Sequence, residues 1–119
     1  MSIIAPDFRH QPAILDEVEC RGFQTAIELV GRRWTGAILL SMARGARRFG
    51  EIIRSVDGLS DRLLSQRLKE LEAQGLVERT VVPTTPAHSR YVLSTRGIRL
   101  MEALQPLVEW GVADRSRAH

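Results

Sequence analysis

Apolar residues along the chain fall into short blocks whose spacing changes from helical to alternating and back. Phe23, Ala26, Ile27 and Val30 recur three and four apart, which predicts a short amphipathic helix over Phe23–Val30 that ends at Gly31. The stretch Trp34–Ala43 is apolar on more than one face, through Trp34, Ala37, Ile38, Leu39 and Met42, so a buried central helix is expected, stopped near Gly45. Ala46–Arg48 has room for only a very short strand. Phe49, Ile52, Ile53 and Val56 mark a third helix of about two turns. Asp57-Gly58 is turn chemistry, Ser60 is an N-cap candidate, and a longer periodic helix, Asp61–Gln74, is closed by Gly75. Two helices joined by a turn that contains glycine form the helix-turn-helix pattern.

The period then becomes strand-like. Leu76–Val82 is rich in β-branched residues, and Arg90–Leu93 resumes that character. Between them Pro83-Thr84-Thr85-Pro86-Ala87-His88-Ser89 cannot extend a ladder, because proline lacks the donor, so a hairpin with a seven-residue loop is expected. Thr95 is read as the cap of a last helix running toward Ala113, kinked or divided at Pro106. The fold class is therefore mainly α with a small β-hairpin wing, a winged helix-turn-helix. Its expected parts are an N-terminal arm over residues 1–19, the domain with its C-terminal helix over 20–113, and a tail over 114–119.

Composition supports a folded domain: 119 residues and 44% hydrophobic are enough for one independent core. No apolar run approaches the ~20 residues of a membrane span, and the N-terminus lacks a secretory h-region. One cysteine, Cys20, allows no internal disulfide, which fits a reducing cytoplasm. Charge is unevenly spread. Residues 44–99 hold 11 Arg plus Lys against 6 Asp plus Glu, a net +5, whereas the remainder holds 6 against 8, a net −2. A basic middle points to a polyanionic partner, and a lightly basic solvated surface is the plainer alternative.

On a wheel of 3.6 residues per turn, Leu63, Leu64, Leu68 and Leu71 gather on one side of the helix that follows Ser60. Arg62, Ser65, Gln66, Lys69 and Ala73 gather on the other. Leucines must face the core, so the outward stripe carries hydrogen-bonding residues in the N-terminal half, where a recognition helix meets base edges. Arg62 can contact guanine O6 and N7 in bidentate fashion, Gln66 can contact adenine N6 and N7, and Ser65 suits either. Lys69 lies farther along and suits a phosphate. The free N–H groups around Ser60 and Asp61 suit a phosphate too, although the Asp61 carboxylate would oppose it unless it caps the helix or pairs with Arg62. At the wing, Thr84, Thr85, His88, Ser89 and Arg90 can reach backbone or minor groove. Arg47 is placed to touch a phosphate, and Arg48 to pair with Glu51 or Glu72.

These residues carry a family resemblance. Gly31-Arg32-Arg33-Trp34-Thr35 resembles the Gly-Gly-Lys-Trp-Thr segment of the HxlR family of winged helix-turn-helix regulators, relatives of the MarR regulators. Arg48-Phe49-Gly50-Glu51-Ile52 is similar to the start of that family's helix-turn-helix, and residues 59–72 to its recognition helix. Gly75-Leu76-Val77-Glu78-Arg79 and Tyr91-Val92-Leu93-Ser94-Thr95 are similar to its wing strands and the start of its last helix. His88 stands where the family often has arginine, and Arg90 where an acidic residue is common. The resemblance implies a cytoplasmic homodimer that represses or activates a neighbouring gene, with dimer contacts from the first and last helices. It also implies a role for a small aromatic effector held between the dimer helices, or for an oxidant or electrophile sensed through a cysteine near the first helix, here Cys20.

The last helix bears Leu100, Met101, Leu104, Leu107, Val108 and Trp110, an apolar face wider than a small core needs. Together with Phe23 of the first helix it is the expected dimer interface, with packing on the subunit's own core as the alternative. Cys20 has Arg21 beside it and Glu17 and Glu19 close by, which oppose each other in their effect on a thiol. His10, His88 and His119 lack zinc spacing, so no metal and no cofactor are expected. A thiol enzyme built on Cys20 lacks a base at a suggestive spacing, so the chain is read as a non-enzyme. Sequence-specific binding of double-stranded DNA as a homodimer is the leading function. A winged helix that has abandoned DNA for a protein partner is the alternative, which the basic outward stripe opposes.

Overall fold

The computed structural model describes Gln11 and residues 13–117. Seven elements follow in order: α1 (Glu17–Gly31), α2 (Thr35–Ala43), α3 (Phe49–Ser55), α4 (Asp61–Ala73), β1 (Val77–Val82), β2 (His88–Leu93) and α5 (Thr95–Arg117). Chain contacts divide it into two units, Met1–Arg32 and Arg33–His119.

In the first unit α1 starts six residues earlier than the apolar spacing indicates. Asp16 caps it, accepting from the Glu19 amide at 2.7 Å, while the Glu19 carboxylate accepts from the Asp16 amide. This reciprocal box satisfies donors that the first turn leaves free, and two glutamates in that turn suit the positive end of the helix. None of its residues is buried. Gly31 is the last helical residue, not a left-handed stop: the C-cap is Arg32, in extended conformation.

The second unit is built around α2, which touches α3, β2 and α5. Its Ile38, Leu39 and Met42 are buried with Ile52 of α3, Leu64, Leu68 and Leu71 of α4, and Leu76 and Val77 at the entry to the hairpin. Each such aliphatic side chain, fully removed from water, contributes roughly 1.5–3 kcal/mol. Trp34, expected as the first residue of this helix, instead precedes it with a left-handed backbone, φ 77.

Helix ends follow local chemistry. After α4, Gly75 adopts φ +73, its amide donates to the Glu72 carbonyl at 3.0 Å, and the Leu76 amide reaches the Leu71 carbonyl at 2.9 Å. These paired bonds satisfy the last carbonyls and turn the chain into the hairpin, a conformation that favours glycine. Gly45 closes α2 by the same pattern, its amide donating to the Met42 carbonyl and the Ala46 amide to the Ser41 carbonyl. Residues 46–48 form no strand; one bond, from the Tyr91 amide to the Arg47 carbonyl at 2.7 Å, ties that segment to β2.

β1 and β2 pair antiparallel, with Val77 opposite Leu93 and Val82 opposite His88. The loop therefore spans residues 83–87 only; His88 and Ser89, expected in the loop, belong to the ladder. The cap of α5 is Ser94, not Thr95: its hydroxyl accepts from the Gly97 amide at 3.0 Å and donates to the Gly75 carbonyl at 2.7 Å. Helix α5 runs through Pro106 and reaches Arg117. Gly97 faces the Leu76 carbonyl so closely that a Cβ there would overlap it.

Candidate nucleic-acid interface

Helix α4 divides into two faces. Leu64, Leu68 and Leu71 are buried, whereas Asp61, Arg62, Gln66 and Lys69 are exposed and Ser65 is half-buried. The Ser60 hydroxyl caps the helix, accepting from the Leu63 amide at 3.1 Å, so Asp61 is not the cap. Nor does Asp61 pair with Arg62. The side chains of Arg62, Gln66 and Lys69 bond to no other described residue, so their donors are open to whatever approaches this face.

Arg67 shows how a basic residue in such a helix can be turned away. It is 8% exposed. Its Nε donates to the Arg33 carbonyl at 3.1 Å and its Nη1 lies 3.3 Å from the Glu70 carboxylate. It anchors α4 to the backbone just before α2. The signal was present in the sequence, because position 67 falls among Leu64, Leu68 and Leu71 on the wheel.

The wing spends its polar groups on itself. Thr84 Oγ1 donates to the Pro86 carbonyl at 2.9 Å and lies 3.1 Å from His88 Nδ1. Ser89 Oγ accepts from Arg79 Nε at 3.0 Å. Arg79, which sequence reasoning passed over, therefore sits beside Ser89 on the hairpin. Thr85 and Arg90 are exposed, and the Arg90 side chain bonds to no other described residue.

Arg47, expected to reach a phosphate, uses one terminal nitrogen on the backbone: its Nη1 donates to the carbonyls of Met42 at 2.8 Å and Ala46 at 3.1 Å. Glu51 meets Arg48 through its backbone amide and not in the expected side-chain ion pair. The Glu51 carboxylate accepts from the amides of Arg47, at 2.9 Å, and Arg48, at 2.8 Å. These two bonds, aided by the charges of Arg48 and Arg54, hold the Glu51 carboxyl below the usual carboxylate range.

Of the residues expected at a dimer contact, Met101 is instead buried in the subunit's own core. Leu100, Leu104 and Val108 are half-buried, while Leu107 and Trp110 are 54% and 64% exposed, with Val112 beside them at 64%. On α1, Phe23 and Cys20 are exposed. Among the described residues no group of His, Cys, Asp and Glu could hold a metal ion, and no helix is long and apolar enough to cross a membrane. His10 and His119 lie outside the described residues.

The HxlR-like helix-turn-helix family matches residues 29–118. The uncharacterized HTH-type transcriptional regulator YvaP of Bacillus subtilis is 38% identical over 91 residues, 76% of this chain and 84% of YvaP. The crystal structure of diamide-treated YodB from B. subtilis superposes with a TM-score of 0.68 at 36% identity, covering 79% of this chain and 93% of that one. A MarR-family transcriptional regulator structure from Enterococcus faecalis V583 reaches a TM-score of 0.74 at 28% identity, covering 91% and 96%.

Proposed function

The chain belongs to the HxlR-like helix-turn-helix family of transcriptional regulators, and from that premise we propose that it binds double-stranded DNA sequence-specifically, as a cytoplasmic homodimer on a pseudo-palindromic operator. The observation that carries this reading is the exposed, unbonded stripe of Arg62, Gln66 and Lys69 on a helix whose start Ser60 caps. Arg62 and Gln66 read base edges in the major groove, and Ser65 adds a short hydroxyl between them. Lys69 meets a phosphate. At the wing, Arg90, with Arg79 and Thr85, lies along the backbone or the adjacent minor groove. Thr84, His88 and Ser89 hold the hairpin's shape and contribute to DNA mainly through it.

Two copies would cover the apolar residues each leaves exposed, Phe23 on α1 and Leu107, Trp110 and Val112 on α5. They would set two α4 helices about one helical turn, ~34 Å, apart. Similarity to YodB supports a further step, a response to oxidants through Cys20, which lies exposed on α1. Diamide should then alter operator binding by the parent protein and leave Cys20→Ser unaffected.

The test is fluorescence anisotropy with DNA from upstream of the chain's own gene and a scrambled duplex, across a salt series. A steep fall in affinity with salt and preference for the native fragment are expected. Equal binding of Arg62→Ala to both duplexes, unchanged from the parent, would refute base reading. An absence of any DNA binding at low salt would favour a protein-interaction module.

A further inference from the structure

Within the unit Arg33–His119 an open cavity of about 520 Å³, lined mainly by exposed and half-buried residues, lies between α2 and the turn from α3 to α4. That volume lies inside the range of small-molecule sites. Its apolar walls come from Trp34, Ala37, Leu40 and Val56, and its polar lining from Ser41, Ser55, Arg44 and Asp57. The two serine hydroxyls bond to each other at 2.5 Å. Arg44 and Asp57 are exposed and opposite in charge, and neither side chain bonds to another described residue.

Trp34 departs from ordinary packing twice. It is the one non-glycine residue with positive φ among the described residues, and its indole Nε1 is buried without a hydrogen-bond partner. Backbone strain and an unmatched buried donor in one residue are costs that a fold carries where a site needs them. Trp34 is also wired to the helix-turn-helix. A Cβ on Gly58 would stand 3.1 Å from the indole Cη2, and the carbonyl of Arg33, the residue before it, accepts from Arg67 of α4.

We propose that this cavity binds a small aromatic zwitterion, a molecule of the size and charge of an aromatic amino acid. The ring packs among Trp34, Ala37, Leu40 and Val56. Arg44 takes the carboxylate through paired N–H donors, and Asp57 takes the ammonium group. An occupant touches Trp34 and the α3–α4 turn at once, so it bears on both attachments that fix the placement of α4. The proposal rests on the regulator reading for its purpose, as an effector site, and not for its existence.

The experiment is titration of the uniformly 15N-labelled full chain with L-phenylalanine, followed by amide and indole spectra. Phenethylamine and 3-phenylpropanoate serve as singly charged comparisons. Saturable shifts of the Trp34 indole signal and of the Ala37 and Asp57 amides are expected, with α4 amides following. Each singly charged compound should bind about 10-fold more weakly, the loss of one charge-assisted contact, and Arg44→Gln and Asp57→Asn should each weaken L-phenylalanine by a similar factor. Both positions are on the surface, so folding is preserved. Ala37→Trp, which fills the cavity, should abolish the shifts.

No saturable shift, or equal binding of all three compounds, overturns the site. Operator binding is measured on the same samples without ligand. Intact titration without DNA binding supports the site and removes the regulator reading; intact DNA binding without titration does the reverse.

Discussion

Helix α4 and the β1–β2 hairpin carry similar polar side chains and use them in opposite ways. On α4, Arg62, Gln66 and Lys69 project with their donors free, because the leucine face and buried Arg67 already fix the helix. On the hairpin, Thr84, His88, Ser89 and Arg79 bond to one another. A helix has its backbone bonds satisfied internally and can leave its side chains to a partner. A two-stranded ribbon is marginal on its own and draws on side chains to hold its shape. Discrimination between sequences should therefore reside in α4, and general affinity in the wing.

The sharpest way to break this comparison is to loosen the anchor. Arg67→Ala removes a nearly buried guanidinium and leaves the Arg33 carbonyl without its donor. A stability loss of about 2 kcal/mol is expected in urea unfolding. Affinity should fall by the same factor on operator and scrambled duplex, unlike the effect of a base reader. Next comes Arg62→Ala, which should cost about 1–3 kcal/mol on the operator and relax preference at a single base position in a mismatch series. Arg90→Ala should weaken all duplexes alike and reduce the slope of log affinity against log salt by about 1. If Arg90→Ala changed base preference and Arg62→Ala did not, the division of labour would be reversed.

The smallest effect concerns Glu51. Its folded-state carboxyl is held low by the Arg47 and Arg48 amides, so it favours the folded state above the ordinary carboxylate range. That contribution is lost as pH falls through the depressed value. Glu51→Gln should lower the neutral plateau of a thermal-melting profile slightly and flatten its acid side, because the contribution it removes is present at neutral pH and already lost in acid. An unchanged acid limb would show that the carboxylate does not hold α3 in solution.

Much of this architecture was legible because chain punctuation is local. Ser60, Gly45 and Gly75 act through bonds to residues three to five positions away, and the leucine stripe of α4 follows from helical period alone. The start of α1 was legible too, in Asp16 and Glu19, but the search for apolar period skipped over a polar capping box. What was not legible depends on partners far along the chain. The wheel places Arg67 on the buried face but does not display its partner, a carbonyl 34 residues earlier, and Met101 enters the core instead of an interface. Arg47 is a different case: its Nη1 is engaged by the carbonyls of Met42 and Ala46, contacts that the sequence does not display. His88 and Ser89 were misplaced because strand register, which the sequence does not display, extends the ladder toward Pro86.

Where Gly97 passes the Leu76 carbonyl, backbone meets backbone with no side chain between them to slide or repack. Helix α5, which begins two residues earlier, is 23 residues long, about 35 Å at ~1.5 Å each. Such a rod, clamped at one end to the root of the hairpin, acts as a lever. A small tilt imposed on its far end reaches the wing as rotation, where a looser joint would have absorbed it as slack.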